Sequence, residues 1–232
     1  MRIFCLRHVP FESAGVIEQW AVNRNHPFFY VNLYENAPFP RPEHFDLLVI
    51  LGGPMNVYEE DRYPWLKDEK SFLVQAVESG KKMLGICLGA QLLADVLGGE
   101  VFSNPYREIG WHPVRLGPGS EESPLVRRVF PPQFLTFQWH GDTFVPPAGS
   151  VLWATNEACA NQAFQYGRDI VGLQFHLEYT VEIIEKMLYF CSDDLTEGPF
   201  IQTVQRIRAD YPHIGAMNQL MIHFLDEWTQ NR

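Results

Sequence analysis

Apolar positions divide the chain into short unbroken runs and stripes of helical spacing. Residues 2–6 are strand-like, and 13–25 carry Val16, Ile17, Trp20 and Ala21 on one helical face before His26-Pro27 ends the pattern. A second strand is expected over 29–33. Leu47-Leu48-Val49-Ile50-Leu51 is a continuous apolar run that stops at Gly52-Gly53-Pro54, as a strand buried on both faces does. Residues 64–79 are helical in spacing, with Trp65, Phe72, Leu73, Ala76 and Val77 on one side and Gly80 placed to end the helix. A short strand over 82–86 follows.

Strand, helix and strand in that order make a βαβ unit, whose right-handed crossover puts helices on both faces of a mostly parallel sheet. The expected fold class is therefore α/β. Residues 101–166 are rich in Pro, Gly and aromatic side chains and read as loops with antiparallel additions, including strand-like pieces at 151–154 and 163–166. Residues 170–175 form another buried strand candidate, and Thr180 is placed to cap a helix through Ile183, Ile184, Met187 and Leu188. After Cys191 the pattern breaks at Asp193-Asp194 and Gly198-Pro199. Two helical patterns follow, near 200–209 and 214–228, and the second is apolar at Met217, Leu220, Met221, Phe224 and Leu225. At helical spacing such a stripe more commonly packs on its own domain than on a partner. The expected organisation is a domain over 1–190 with a helical extension, 191–232, packed on it.

Composition narrows the function. The 232 residues are 46% hydrophobic and 20% charged, enough for a sizeable core, and length alone allows about one and a half domains of roughly 150 residues. A formal net charge of −10 opposes nucleic acid and anionic lipid as partners. The apolar start is too short for a signal peptide and no run approaches the ~20 residues that cross a bilayer, so a cytoplasmic address is expected. Cys5, Cys87, Cys159 and Cys191 are scattered, with no CxxC pair and no histidine at zinc-ligand spacing. Free thiols, no metal centre and no cofactor follow as expectations.

One cysteine stands in a special setting. Gly85-Ile86-Cys87-Leu88-Gly89 joins a strand to the helix-like 90–97, the layout of a nucleophile elbow with cysteine in the serine position. Flanking glycines suit a strained turn where side chains would collide, and the positive end of the following helix favours the thiolate. The alternative is a core cysteine between packing glycines. An acyl-transfer site also needs oxyanion donors, and position supplies two: the N–H of Leu88 and an N–H from the Gly52-Gly53-Pro54 loop. A base can come from His176-Leu177-Glu178 or from His140-Gly141-Asp142. In each pair the carboxylate two residues on can face the same way as the imidazole, and periodicity does not choose between them. The His176 pair carries more weight because it ends a buried strand, where the sites of open α/β sheets gather.

Gly52-Gly53-Pro54, Gly85-Ile86-Cys87-Leu88-Gly89-Ala90-Gln91 and Gly172-Leu173-Gln174-Phe175-His176-Leu177-Glu178 together, in this order, resemble the class I (triad) glutamine amidotransferase domain. Within that family the chain is similar to stand-alone members related to the amidotransferase domain of GMP synthase. Glu108-Ile109-Gly110-Trp111 and Gln138-Trp139-His140-Gly141-Asp142 add to the likeness, which covers about residues 1 to 190. The resemblance implies a flavodoxin-like fold and a γ-glutamyl thioester mechanism. In it Cys87 is nucleophile, His176 base, Glu178 its orienter, Gly53 and Leu88 oxyanion donors, and Gly52, Gln91, Trp139 and His140 substrate contacts. The implied substrate is glutamine or a γ-glutamyl compound. No ATP-binding synthetase domain follows, so a separate synthetase is a possible partner. Because plant γ-glutamyl peptidases resemble the same group, cleavage of glutathione-like conjugates is the rival activity, and an ammonia-supplying or regulatory subunit is the other alternative.

Overall fold

The computed structural model describes residues 1–230. Nine strands form a single sheet in the order β2-β1-β3-β4-β9-β8-β7-β5-β6. Its parallel half consists of β1 (Ile3–Arg7), β2 (Phe28–Asn32), β3 (Leu47–Ile50), β4 (Lys82–Ile86) and β9 (Ile170–Leu173). Beyond β9 the sheet turns antiparallel through β8 (Ala163–Tyr166), β7 (Ser150–Thr155), β5 (Glu100–Leu116) and β6 (Gln133–Val145).

Helices cover both faces, as the βαβ reading requires. The continuous apolar strands send alternate residues to opposite sides: Leu47, Val49, Leu84 and Ile86 join one core cluster, and Leu48, Ile50 and Met83 the other. The first cluster is closed by α1 (Val16–Asn23), α4 (Pro124–Val129), α5 (Val181–Phe190) and α7 (Ile214–Gln230), with Ile207 of the short α6 (Val204–Ala209). The second is closed by α2 (Trp65–Glu78) and α3 (Leu88–Val96). Thr180 caps α5 as expected, its hydroxyl accepting from the Ile183 N–H. No described helix is long and apolar enough to cross a membrane.

The middle of the chain departs from expectation. Where loops were expected over much of 101–166, β5 and β6 form a long antiparallel pair of 17 and 13 residues. The Pro and Gly that suggested loops are absorbed by local geometry. Pro105 falls in the register shift between Ser103 and Glu108, and Pro113 lies where β5 pairs only with β6, its β7 pairing being limited to Arg115 and Leu116.

The C-terminal extension is fastened to the rest at several points. Met217, Met221, Phe224, Leu225 and Trp228 are buried. Asp226 accepts from Trp20 Nε1 at 2.8 Å and pairs with Arg24 at 2.7 Å, and Trp111 Nε1 donates to the Ile207 carbonyl. Asn218 Nδ2 donates to the carbonyls of Leu177 and Tyr179 at 2.8 and 3.0 Å. We propose that residues 191–230 belong to one folding unit with 1–190; Asn231 and Arg232, the end of the expected extension, lie outside the described residues. A chain ending at residue 190 would expose the apolar faces of α1 and α4 and is expected to lose cooperative thermal unfolding, followed by circular dichroism. An unchanged melting temperature would separate the two parts.

Candidate active site

Because β1, β3, β4 and β9 are parallel and adjacent, the turns that follow them emerge at one edge of the sheet. Those turns carry His8 and Glu12, Gly52-Gly53, Cys87, and His176 with Glu178. Four segments distant in sequence are thereby brought together without any loop having to reach far.

Cys87 stands between β4 and α3 with φ 53° and ψ −110°. Among the described non-glycine residues only Asn25, Asn36 and Cys87 have positive φ, and the left-handed region is costly for cysteine. The turn is held by the Cys87 N–H on the Leu173 carbonyl at 2.8 Å, and by the Ala90 and Gln91 N–H groups on the Cys87 carbonyl. Both elbow glycines are required for close approach. A Cβ on Gly89 would meet the Ile50 carbonyl of β3, and one on Gly85 would meet the backbone of Gly89 and Ala90. Cys87 is 7% exposed, and its sulfur lies 3.6 Å from the Trp139 carbonyl oxygen.

Between the two candidate bases, the structure places His176 in the same pocket as Cys87. Its backbone bridges to Phe137 in both directions, its ring stacks on Tyr179 at 3.9 Å, and Nδ1 lies 2.7 Å from Glu178 Oε1. The second Glu178 oxygen accepts from the Leu177 N–H. With Nδ1 committed to the carboxylate, Nε2 is buried and has no hydrogen-bond partner. Burial alone would lower the imidazole's pKa, but the Glu178 carboxylate and the facing Cys87 sulfur outweigh it and raise it to about 10.

His140 has a different orienter from the one expected. Its Nδ1 bonds the Asp142 backbone carbonyl, its Nε2 bonds Glu108 at 3.0 Å, and the Asp142 carboxylate is turned to Asn56 and Ser103. Glu108 also accepts from Asn156 and Gln162, and Cys159 lies nearby, its thiol raised to about 11 chiefly by burial. Glu108, His140 and Cys159 bring ligand-type atoms within 4.8 Å of one another, yet every one of these groups already has protein partners. The cluster braces the β5–β6 pair.

Two cavities meet at Cys87. A narrow one of about 30 Å³ is lined by Glu12, Gly52, Trp139, His176 and Tyr179. A wider one of about 350 Å³ is lined by Asn56, Gln91, Arg107, His140 and Asp142. Gly53, Pro54, Trp139 and Asp194 border both. Asp194 comes from the C-terminal extension and is fixed by Trp139 Nε1 at 3.0 Å and by Arg107. The N–H groups of Gly53 and Leu88 have no protein acceptor among the described residues and are free to donate. Gln91, expected as a substrate contact, spends its side-chain N–H bonds on the Asp142 carbonyl and on Gln174 at 3.2 Å each. The larger groove at the opposite sheet edge, about 530 Å³ beside Lys82, Arg128 and Trp228, contains no cysteine or histidine among its lining residues.

Three functional neighbours escaped sequence reading. His8 donates to the Gly52 carbonyl at 2.9 Å and to Glu69 at 3.0 Å, with both side chains fully buried. Burial disfavours its charge, but Glu69 outweighs burial and raises its pKa, and the ring ties the Gly52-Gly53 loop to α2. Glu69 has a visible signal, a carboxylate on the apolar face formed by Leu66, Phe72, Leu73 and Ala76. Glu12, third of the three, follows the first strand, as His8 does.

A family model for class-I glutamine amidotransferases matches residues 17–192. The chain is 33% identical over 237 residues to the glutamine amidotransferase-like protein YfeJ of Salmonella typhimurium, covering 99% of this chain and 98% of that one. It is 32% identical over 174 residues to a glutamine-hydrolysing GMP synthase of Natranaerobius thermophilus, covering 70% of this chain but 32% of the synthase, so it spans about a third of that protein's length. The crystal structure of a glutamine amidotransferase from Thermotoga maritima superposes with a TM-score of 0.89 at 33% identity, covering 100% of this chain and 99% of the other.

The raised pKa of His176 gives a pH test. Because the folded-state value exceeds the ordinary 6.5, its stabilisation is complete below about pH 6.5 and is lost as pH climbs through about 10. Nuclear magnetic resonance titration of His176 should show a charged ring at neutral pH. In Glu178→Gln the midpoint should fall and the loss of stability between neutral pH and 10 should shrink. An unaltered midpoint would show that Glu178 does not hold the charge.

Gly89→Ala should destabilise the protein by about 1–3 kcal/mol or more in denaturant unfolding, since β3 backbone must yield. Gly215→Ala, a helical position without positive φ where nothing lies within 4 Å, is the control for glycine's conformational freedom.

Proposed function

The chain belongs to the class I glutamine amidotransferase family, and we propose that within it the protein hydrolyses the γ-amide of glutamine through a thioester on Cys87. The observation that carries this reading is the unpartnered, buried Nε2 of His176 in the pocket of a strained cysteine, with Nδ1 anchored on Glu178. A structural histidine that deep would be expected to have both nitrogens paired.

In this mechanism the Cys87 thiolate attacks the amide carbon and the C–S bond forms. Negative charge moves to the carbonyl oxygen, where the free N–H groups of Gly53 and Leu88 receive it. The proton on His176 Nε2 passes to the nitrogen, the C–N bond breaks and ammonia leaves. Water then gives a proton back to His176 as its oxygen attacks the thioester, and the C–S bond breaks to release glutamate. Glu178 keeps the imidazole oriented, and the His8–Glu69 pair fixes the oxyanion loop through Gly52. The α-amino and α-carboxylate groups of the substrate fit the wider cavity, where Asp142 and Arg107 offer complementary charge.

The named activity of the GMP synthase relative supports an ammonia-consuming synthetase as partner. Four free cysteines accompany a cytoplasmic address in this reading.

Purified protein should form glutamate and ammonia from glutamine. Cys87→Ala should lower the rate by more than about a thousandfold with its fold retained by circular dichroism, and His176→Ala should be comparably severe. His140→Ala should be milder. A Cys87→Ala protein that still releases ammonia would end the thioester reading, and release of amino acids from γ-glutamyl peptides without action on glutamine would reassign the substrate.

A further inference from the structure

Glu12 is a buried carboxylic acid that the mechanism above does not use. It is 4% exposed, and its one hydrogen bond is a long one accepted by Oε2 from the Tyr179 hydroxyl at 3.4 Å. Neither oxygen has an ion-pair partner within reach among the described residues. With one long hydrogen bond in all, the carboxyl has acceptor capacity left for a donor in the pocket it lines.

Its position specifies what that ligand is. A methyl group added to Gly52 would lie 2.9 Å from Glu12 Oε2 and 3.6 Å from Cys87 Cβ, so carboxyl and nucleophile flank the same point of the oxyanion loop. Glu12 and His176 line the narrow cavity on one side of Cys87, while Gln91, Arg107 and Asp142 line the wide one on the other. A γ-glutamyl chain needs the wide side for its α-amino and α-carboxylate groups. At the tetrahedral stage the bond to nitrogen then points into the narrow side. That chamber, about 30 Å³, is the space of one water-sized molecule.

We propose that Glu12 is the contact for the departing nitrogen, and that the chamber it closes is a leaving-group subsite for an ammonia-sized amine. The inference rests on the reading of Cys87 as an acyl-transfer nucleophile. When His176 Nε2 transfers its proton, the amide nitrogen carries three hydrogens and a positive charge until the C–N bond breaks. The electron pair of that bond stays on nitrogen, ammonia departs, and the thioester remains on Cys87. Glu12 acts as a carboxylate, stabilising the cationic nitrogen by charge and accepting one of its N–H bonds at Oε2, the oxygen that faces the oxyanion loop and that the Tyr179 hydroxyl also reaches. Burial, joined by the neighbouring Glu178 carboxylate, raises the Glu12 pKa against the lowering by His176 and His8, and the cationic nitrogen arriving beside it is the charge that favours the carboxylate.

The test compares glutamine with the γ-methyl ester of glutamate, whose leaving oxygen never becomes cationic. Glu12→Gln, nearly isosteric, should lower kcat on glutamine by about tenfold or more. The kcat on the ester, and KM for both substrates, should stay within about threefold of wild type. Equal losses on the two substrates would reduce Glu12 to a structural residue, and no loss on either would remove it from the reaction. A readout independent of the variant's folding comes from the wild-type enzyme, where γ-glutamyl methylamide should be cleaved about a hundredfold more slowly than glutamine. Comparable rates would overturn the small subsite. Wild-type protein that cleaves neither glutamine nor the ester, with Cys87 unlabelled by iodoacetamide, would instead overturn the nucleophile reading, and Glu12's assignment with it.

Discussion

The close approach of α3 to the edge of the parallel sheet is the constraint on which the site depends. Helix and strand can meet at Cys87 only because Gly85 and Gly89 carry no side chains where the backbones of the turn and of β3 would be struck. The residue between them bears the cost as a positive φ, and hydrogen bonds from β9 and into the first turn of α3 hold it there. A strained residue persists when its surroundings over-determine it, and here three separate elements do so. The result is a sulfur at the sheet edge, at the start of a helix, directed toward the segment that follows β9.

Electrostatics around that sulfur is managed by pairing buried charges one by one. Glu178 holds His176, Glu69 holds His8, and Glu108 is taken up by His140, Asn156 and Gln162. Each pair fixes a different part of the site: the His176 ring, the Gly52-Gly53 loop and the antiparallel strands β5 and β6. Unpaired charges in such surroundings would be costly, so the under-satisfied atoms stand out. His176 Nε2 and the Glu12 carboxyl are the two that face the cavity beside Cys87.

The C-terminal segment contributes to this edge from a distance in sequence. Asn218 of α7 ties the carbonyls on both sides of Glu178, and Asp194 fixes the indole of Trp139 at the mouth shared by the two cavities. Trp20 and Arg24 of α1 grip Asp226, so the helix that supports the His176–Glu178 segment is itself held by the first helix of the chain. Rigid support from several directions is what a site positioned to fractions of an ångström requires.

Where a feature is local, the amino-acid order decided it. The unbroken apolar run at 47–51 and the largely apolar 170–175 marked strands covered on both faces, the glycines around Cys87 announced a cramped turn, and strand-helix-strand spacing pointed to a parallel sheet whose turns share an edge. The β5–β6 pair was illegible because Pro105 and Pro113 break strands locally and are tolerated only through a register shift and a one-sided pairing, both set by the neighbouring strands. Periodicity did not choose between His176 and His140, since each imidazole has a carboxylate two residues away, and the weight given to His176 came from the buried strand it ends; the fold adds that Asp142 is turned aside and that Glu108 of the neighbouring β5 takes its place at His140. His8, Glu12 and Glu69 acquire meaning only when β1, β3 and α2 are packed together, because a buried charge is defined by what surrounds it and not by its position along the chain.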